Sequence, residues 1–303
     1  MADRNPLRSE GEQLESFIAE LQKNQQIKDI AGWETGFPNL SRALDGLHPG
    51  LYLLIGPPGC GKTSFAKQLL DQVASYNHAP GVFFSFAESS KELRTKTLAR
   101  LSEIENKEIR RGSAYLLHWY GVPKAQHSDL EHLPPSWEKL KQSAEAAKPW
   151  LDLIYLLECA RNTDLRWIED RIREVEAIKA TDRVMVVIDD CQLLGNSQQK
   201  LRHRVASVAD ELQKTAVNLA IPILAVWPDL REDQVSSPEI WSDRAPSADM
   251  ILVIEIDLER TKNFAETKQT HTFHIVKNRG GERGSLRFEF YPAFSRFVEA
   301  AAS

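Results

Sequence analysis

The chain has 303 residues, 42% hydrophobic and 27% charged, with 38 Lys and Arg against 43 Asp and Glu for a net charge of −5. This balance is that of a globular protein with material for a sizeable core, and it excludes wholesale disorder and a wholly basic nucleic-acid coat. No apolar run approaches the ~20 residues of a membrane helix, no N-terminal stretch reads as a signal peptide, and Cys60, Cys159 and Cys191 are too scattered for a disulfide framework or zinc cluster, so a cytoplasmic location is expected.

In chain order, Leu14, Phe17, Ile18 and Leu21 share one helical face in a polar arm over residues 1–30. From about Thr35 the pattern alternates between strand and helix. Leu51–Ile55 is a continuous apolar run suited to a buried parallel strand, and a glycine-rich turn and a helix from Thr63 to about Tyr76 follow it. Val82–Phe86 reads as a strand and Lys91–Leu101 as a helix, whereas residues 102–149 are irregular apart from a helix through Trp137–Ala147. Leu153–Leu157 and Val184–Ile188 read as strands flanking a helical stripe of Leu165, Ile168, Ile172 and Val175. A helix over Leu201–Leu219 leads to the strand Pro222–Val226, and three further strands are expected at Ile251–Ile256, Thr272–Val276 and Leu286–Phe290. The alternation predicts an α/β domain over residues 31–303, with a mostly parallel sheet flanked by helices. The last runs, with no helix between them, predict an antiparallel C-terminal edge.

Gly56-Pro57-Pro58-Gly59-Cys60-Gly61-Lys62-Thr63, followed by Ser64, satisfies G-x-x-x-x-G-K-[ST] between a buried strand and a helix. The glycines let backbone N–H groups close around a polyphosphate, Lys62 reaches the β- and γ-phosphates, and Thr63 offers its hydroxyl to Mg²⁺. Cys60 reads as a small side chain at a free loop position. Asp189, the first acid after the apolar run Val184–Ile188, is the second candidate on the metal side, while Asp190 either orients Thr63 or faces solvent. Glu88 ends the neighbouring strand and is the candidate for activating water. The alternative for Glu88 is an acid at the start of the next helix.

Together these residues resemble the RecA-like P-loop ATPases, and more closely the ATPase domain of the DnaB-type replicative DNA helicases, over roughly Thr35 to Val298. The resemblance rests on Glu34-Thr35-Gly36-Phe37-Pro38-Asn39-Leu40, Gly46-Leu47-His48-Pro49-Gly50, the phosphate loop, Phe83-Phe84-Ser85 with Glu88, Val187-Ile188-Asp189-Asp190-Cys191-Gln192-Leu193 and Val276-Lys277-Asn278-Arg279-Gly280-Gly281. It implies ATP and Mg²⁺ as ligands and a homo-oligomer, six subunits in a ring, acting on single-stranded DNA. It also implies that Lys277 and Arg279 reach the γ-phosphate of a neighbouring subunit. Gln192 matches a position that couples nucleotide state to DNA. The segment 195–204 that follows it would present Lys200, Arg202 and Arg204 to phosphates, or is a solvated basic loop before a helix.

Four departures stand out: about 30 residues precede the core where the helicases carry a primase-binding domain, and extra material surrounds Trp119–Pro135. In addition, Ala87-Glu88 places the acid one position later than in the helicases, and Trp227-Pro228-Asp229 replaces a polar sensor. KaiC-like ATPases share the core, so a regulatory ATPase acting on a protein partner and a DNA-binding filament scaffold are the alternative readings.

Overall fold

The computed structural model describes residues 9–12, 14, 18–19, 30–111, 135–194, 201–229, 237–257 and 268–300. Their strands are β1 (Gly50–Gly56), β2 (Gly81–Ser85), β3 (Ile154–Glu158), β4 (Met185–Asp189), β5 (Pro222–Pro228), β6 (Met250–Ile256), β7 (Gln269–Asn278), β8 (Gly284–Tyr291) and β9 (Arg296–Glu299). They form a single sheet in the order β3-β2-β4-β5-β1-β6-β7-β8-β9, parallel from β3 to β6 and antiparallel from β6 to β9. This is the expected α/β architecture with its antiparallel C-terminal edge. The helices are α1 (Pro38–Leu44), α2 (Lys62–Asn77), α3 (Ser90–Ser102), α4 (Asn106–Arg111), α5 (Pro135–Leu151), α6 (Leu165–Lys179), α7 (Leu201–Leu219) and α8 (Ile240–Arg244). No helix among the described residues is long and apolar enough to cross a membrane.

Both faces of the sheet are covered, which is why its central strands are apolar runs rather than alternating ones. Every residue of β1 is buried. Leu51, Leu53 and Ile55 point into the core beneath α6, α7 and α8, built with Ile168, Ile172, Val205, Leu212 and Trp241. Tyr52 and Leu54 point to the other face, with Leu40, Phe65, Leu69 and the apolar side chains of the antiparallel strands. There Phe65 of α2 stacks on Phe37 at 5.2 Å between centroids and meets Phe273, Phe288 and Phe297 within 5.7 Å. These aromatic pairs fasten α2 to the C-terminal edge.

Helices α1, α4 and α8 and strand β9 had no clear trace in the sequence. Helix α1 is short, and its N-terminal amides at Asn39 and Leu40 donate to the Glu299 carboxylate of β9, both at 2.8 Å. Helix α4 buries no residue, and β9 buries only Phe297.

Helices α2 and α3 are joined by buried charge. Asp71 accepts from Lys67, from Arg100 and from Thr97 Oγ1, the last at 2.8 Å, and Lys67 and Asp71 are 1% and 3% exposed. Burial pulls Lys67 below the ordinary lysine range, and Asp71 opposes that shift. One carboxylate serves both cations here, so removing it leaves them without that counter-charge in the interior. Asp71→Ala is therefore expected to cost on the order of 3–5 kcal/mol, read by urea unfolding at pH 7. A loss below about 1 kcal/mol would show the cations to be solvated.

Candidate nucleotide site

The carboxyl ends of β2, β4, β5 and β1 lie side by side, and the chain leaves each of them at the same edge of the sheet. The loop from Gly56 to Gly61 leaves β1 there, with Gly59 and Gly61 at φ +79° and +84°, a region that favours glycine. A Cβ on Gly61 would also lie 2.8 Å from the Phe290 ring, and one on Gly56 would lie 2.7 Å from Cys60 Sγ. The loop is thus packed from beneath by Cys60 and the aromatic cluster. Cys60 is fully buried and burial pushes its thiol up, in keeping with a filler rather than a reactive group. Pro57 and Pro58 bring no N–H, so the loop's amide donors come from Gly59 onward.

Lys62 begins α2, and its ammonium donates to the carbonyls of Gly56 (2.8 Å) and Pro57 (2.9 Å), which holds it across the loop. Thr63 Oγ1 donates to Asp189 Oδ2 at 2.6 Å. Asp189, not Asp190, is therefore the carboxylate joined to the phosphate-loop helix. Asp190 instead accepts from Gln192 Nε2 at 2.6 Å, and the peptide bond between the two aspartates is cis. Burial pushes Asp189 up to about 6, helped by the charges of Glu88 and Asp190, while the Thr63 hydrogen bond and Lys62 oppose the shift. Two hard oxygen donors at the foot of an amide-lined loop fit Mg²⁺, whose remaining ligands would come from phosphate and water.

Glu88 follows β2, and its backbone is held by Ser85, whose Oγ accepts from Glu88 N (3.0 Å) and donates to Glu88 O (2.7 Å). The helix start behind it is capped by Ser89 and Glu92 in a reciprocal box. Glu88 is consequently not the capping acid. Its Oε1 lies 3.2 Å from Lys96 Nζ, and its buried Oε2 has no partner among the described residues. Glu88 and Lys96 line a cleft of about 950 Å³ with Lys62, Thr63, Ser64 and Asn106.

Lys277 and Arg279 lie elsewhere. Asn278 between them pairs with Met250, which pairs with Tyr52 near the amino end of β1, the end opposite the phosphate loop. Gly50 and Gly56 are six residues apart, roughly 20 Å in an extended strand, so this pair cannot reach its own loop. Arg279 pairs with Asp249 at 2.8 Å and Lys277 donates to the Pro246 carbonyl at 2.5 Å. Gln192 sits in a short 3₁₀ turn over Cys191–Leu193. Arg204 Nη1 donates to the Gln192 carbonyl at 2.6 Å, so this guanidinium is tied to the turn rather than held out as a free loop cation. Lys200 and the Arg202 side chain lie outside the described residues, as do Phe17 and Leu21 of the arm. Leu14 and Ile18 are exposed.

Lys96, Asn106 and Asp229 were not among the expected site residues. Lys96 reads as an ordinary helix cation. Asn106 donates to the carbonyls of Pro292 (3.1 Å) and Ala293 (2.9 Å), closing the turn beside the cleft. Asp229 donates its N–H to the Gly56 carbonyl at 2.9 Å, while Trp227 turns its ring into the opposite core.

A strand, a glycine loop and a helix with an apposed acid, set in this sheet order, define a P-loop nucleotide-binding protein with a RecA-like fold. Residues 32–299 match the family model of the DnaB-like helicase C-terminal domain, and the chain belongs to that family. It is 27% identical over 298 residues to the replicative DNA helicase DnaB of Pasteurella multocida, covering 93% of this chain and 58% of that protein. It is 26% identical to the corresponding helicase of Haemophilus influenzae, covering 99% and 64%. The chain thus spans about three-fifths of the length of these relatives. Among solved structures, an isolated ATPase domain superposes with a TM-score of 0.77 at 21% identity, over 97% of this chain and 100% of that one. A DnaB-like replicative helicase solved for its interactions with primase gives 0.75 at 20% identity, over 94% and 67%. A KaiC-like protein from Pyrococcus horikoshii gives 0.54 at 17% identity, over 90% and 100%.

The raised Asp189 has a consequence for stability. The folded chain keeps this proton to about pH 6, whereas an unfolded aspartate releases it near ~3.9, so stability falls as pH rises between those values. Without nucleotide or metal, Asp189→Asn is expected to stabilise the protein by on the order of 1–3 kcal/mol at pH 7. The gain should shrink toward zero near pH 4. Denaturant melts of both proteins at the two pH values test this, and equal stability at pH 7 would contradict it.

Proposed function

We propose that this protein is an ATP-hydrolysing, DnaB-helicase-like motor that acts on single-stranded DNA as an oligomer. The observation that carries the reading is the placement of the phosphate loop and the Lys277–Arg279 pair at opposite ends of the same strands. Each subunit would complete its neighbour's site and leave its own to be completed by another.

In this reading the amides from Gly59 to Ser64 cradle the phosphates at the positive end of α2. Lys62 would leave its loop carbonyls for the β- and γ-phosphates, and Thr63 and Asp189 would hold Mg²⁺, which would supply charge neutralisation to the phosphates. Glu88 accepts a proton from water as the water oxygen bonds to the γ-phosphorus, the bond from that phosphorus to the β–γ bridging oxygen breaks, and ADP leaves with its charge balanced by Lys62. The neighbour's Lys277 and Arg279 exchange Pro246 and Asp249 for the γ-phosphate. Gln192, bridged to Asp190 on one side and Arg204 on the other, links the metal-side strand to the start of α7, where Lys200, Arg202 and Arg204 would meet DNA phosphates. The amphipathic arm, with Leu14 and Ile18 exposed, would dock on an adjacent subunit, and a six-membered ring is the assembly proposed. The regulatory alternative is not favoured, because the family model and the curated relatives are those of replicative helicases.

Lys62→Ala is expected to abolish turnover. Arg279→Ala is expected to lower kcat by roughly 10³-fold or more while leaving ATP affinity within a few-fold. Mixing inactive Lys62→Ala with inactive Arg279→Ala subunits should restore part of the activity, since a mixed interface can contain one intact site. No recovery in mixtures, or full activity in an Arg279→Ala monomer, would remove the shared-site arrangement. The DNA reading is tested by the ATPase rate with and without single-stranded DNA at low salt. Absence of both binding and stimulation would end the motor reading.

A further inference from the structure

We propose that Lys96 is a positioning residue for hydrolysis, holding Glu88 by one carboxylate oxygen so that the other is left to take the proton of the attacking water. This rests on the reading of Glu88 as the group that activates water.

Lys96 lies in the second turn of α3 and lines the cleft, with its side chain 12% exposed and its ammonium 3.2 Å from Glu88 Oε1. A lysine on a helix with a glutamate four residues earlier ordinarily pairs with that glutamate at the surface. Here that residue is Glu92, and its Oε2 is already engaged, accepting from Ser89 N at 2.9 Å and Ser89 Oγ at 3.0 Å. The cap therefore commits the near acid and directs the ammonium across the helix start to Glu88. Largely burying an ammonium for one carboxylate is costly, and such a pair is retained more readily for geometry than for stability.

The geometry divides the two oxygens of Glu88. Oε1 is held by Lys96, while Oε2 is buried with no donor among the described residues. A buried acceptor without a donor calls for a role, and here it belongs to the carboxylate beside the phosphate loop. Both ends of the arrangement are rigid. Ser85 Oγ grips the Glu88 backbone, and Thr97 and Arg100, on the same helix as Lys96, are locked to Asp71 of α2. Lys96 Nζ also lies 3.5 Å from Ser64 Oγ, so the ammonium spans from the phosphate-loop helix to the water-activating acid.

A general base contributes about 10²–10⁴-fold, so losing its orientation but not the group itself should remove part of that factor. Lys96→Met is expected to lower kcat roughly 10- to 100-fold, with KM and the dissociation constant for ATP within about two-fold of the parent. Lys96→Arg should recover most of the rate, since a guanidinium can hold the same oxygen. On a Glu88→Gln background, where no carboxylate remains to be oriented, Lys96→Met should cause no further loss. Thermal unfolding of each variant identifies any that fails to fold, and Lys96→Arg then carries the comparison by its kcat-to-KM split. A parent-like kcat in Lys96→Met beside an inactive Glu88→Gln would overturn the role of Lys96 alone. So would additive losses, or a loss confined to ATP binding, which would make Lys96 a phosphate contact. Full turnover in Glu88→Gln by itself would instead remove the assignment of Glu88 on which the proposal rests.

Discussion

Strand β1 is buried on both faces and paired on both edges, by β5 and β6, so its backbone can meet a ligand only at its ends. That constraint organises the rest of the molecule. At the carboxyl end the chain must turn into α2 over a floor already filled by Cys60 and the Phe290 and Phe297 rings, which leaves no room for a Cβ at Gly56 or Gly61. What the loop can present outward is backbone, and backbone amides at a helix start are what a polyphosphate requires. Because the neighbouring strands are parallel, Asp189 and Glu88 emerge at the same edge without any special loop to carry them.

The site also shows what its chemistry costs the fold. Asp189 is 3% exposed and retains its proton to about pH 6, a poor arrangement for stability alone and a suitable one for a carboxylate that gains from a cation. The neighbouring helices absorb this by fixing position through charge as well as packing. Asp71 ties α2 to α3, the Ser89–Glu92 box fixes where α3 begins, and the aromatic cluster ties α2 to the C-terminal edge. Replacing the Asp71 contacts with apolar ones could keep the helices together, but it would no longer dictate their register so narrowly. Register matters here because Ser64 and Lys96 meet across that same interface.

The legibility of these features in the sequence followed their range. Doubly buried parallel strands leave unbroken apolar runs, and the phosphate loop is local in the chain, so β1, β4 and the Gly56–Thr63 loop were visible at once. Short elements stabilised by distant partners were not. Helix α1 depends on Glu299 about 260 residues away, α4 buries nothing and so has no periodicity, and β9 is recognisable only through Phe297 and its pairing with β8. Lys67 and Asp71 have the spacing of a surface helix pair, and only the arrival of Arg100 and Thr97 from another helix makes them interior. One hydrogen bond from Thr63 distinguishes Asp189 from Asp190, and the alternation along β5 turns Trp227 into the opposite core, neither of which is local in the sequence.

The antiparallel edge gives the strongest geometric argument about assembly. Strand β7 runs back against β6, so the segment after it returns to the amino end of the parallel strands, and Arg279 N donates to Asp249 O beside Leu51. The phosphate loop and the first turn of helix α2 occupy the other end of the same sheet. A sheet with both faces packed is a stiff body, so roughly 20 Å of strand separates the two functional ends with little scope for changing that distance. If the sites are shared as proposed, the gap that opens and closes is the one between subunits, and the internal sheet acts as a strut. Ion pairs such as Arg279–Asp249 then define a resting position for the finger, and its exchange onto phosphate depends on how neighbouring subunits are rotated against each other.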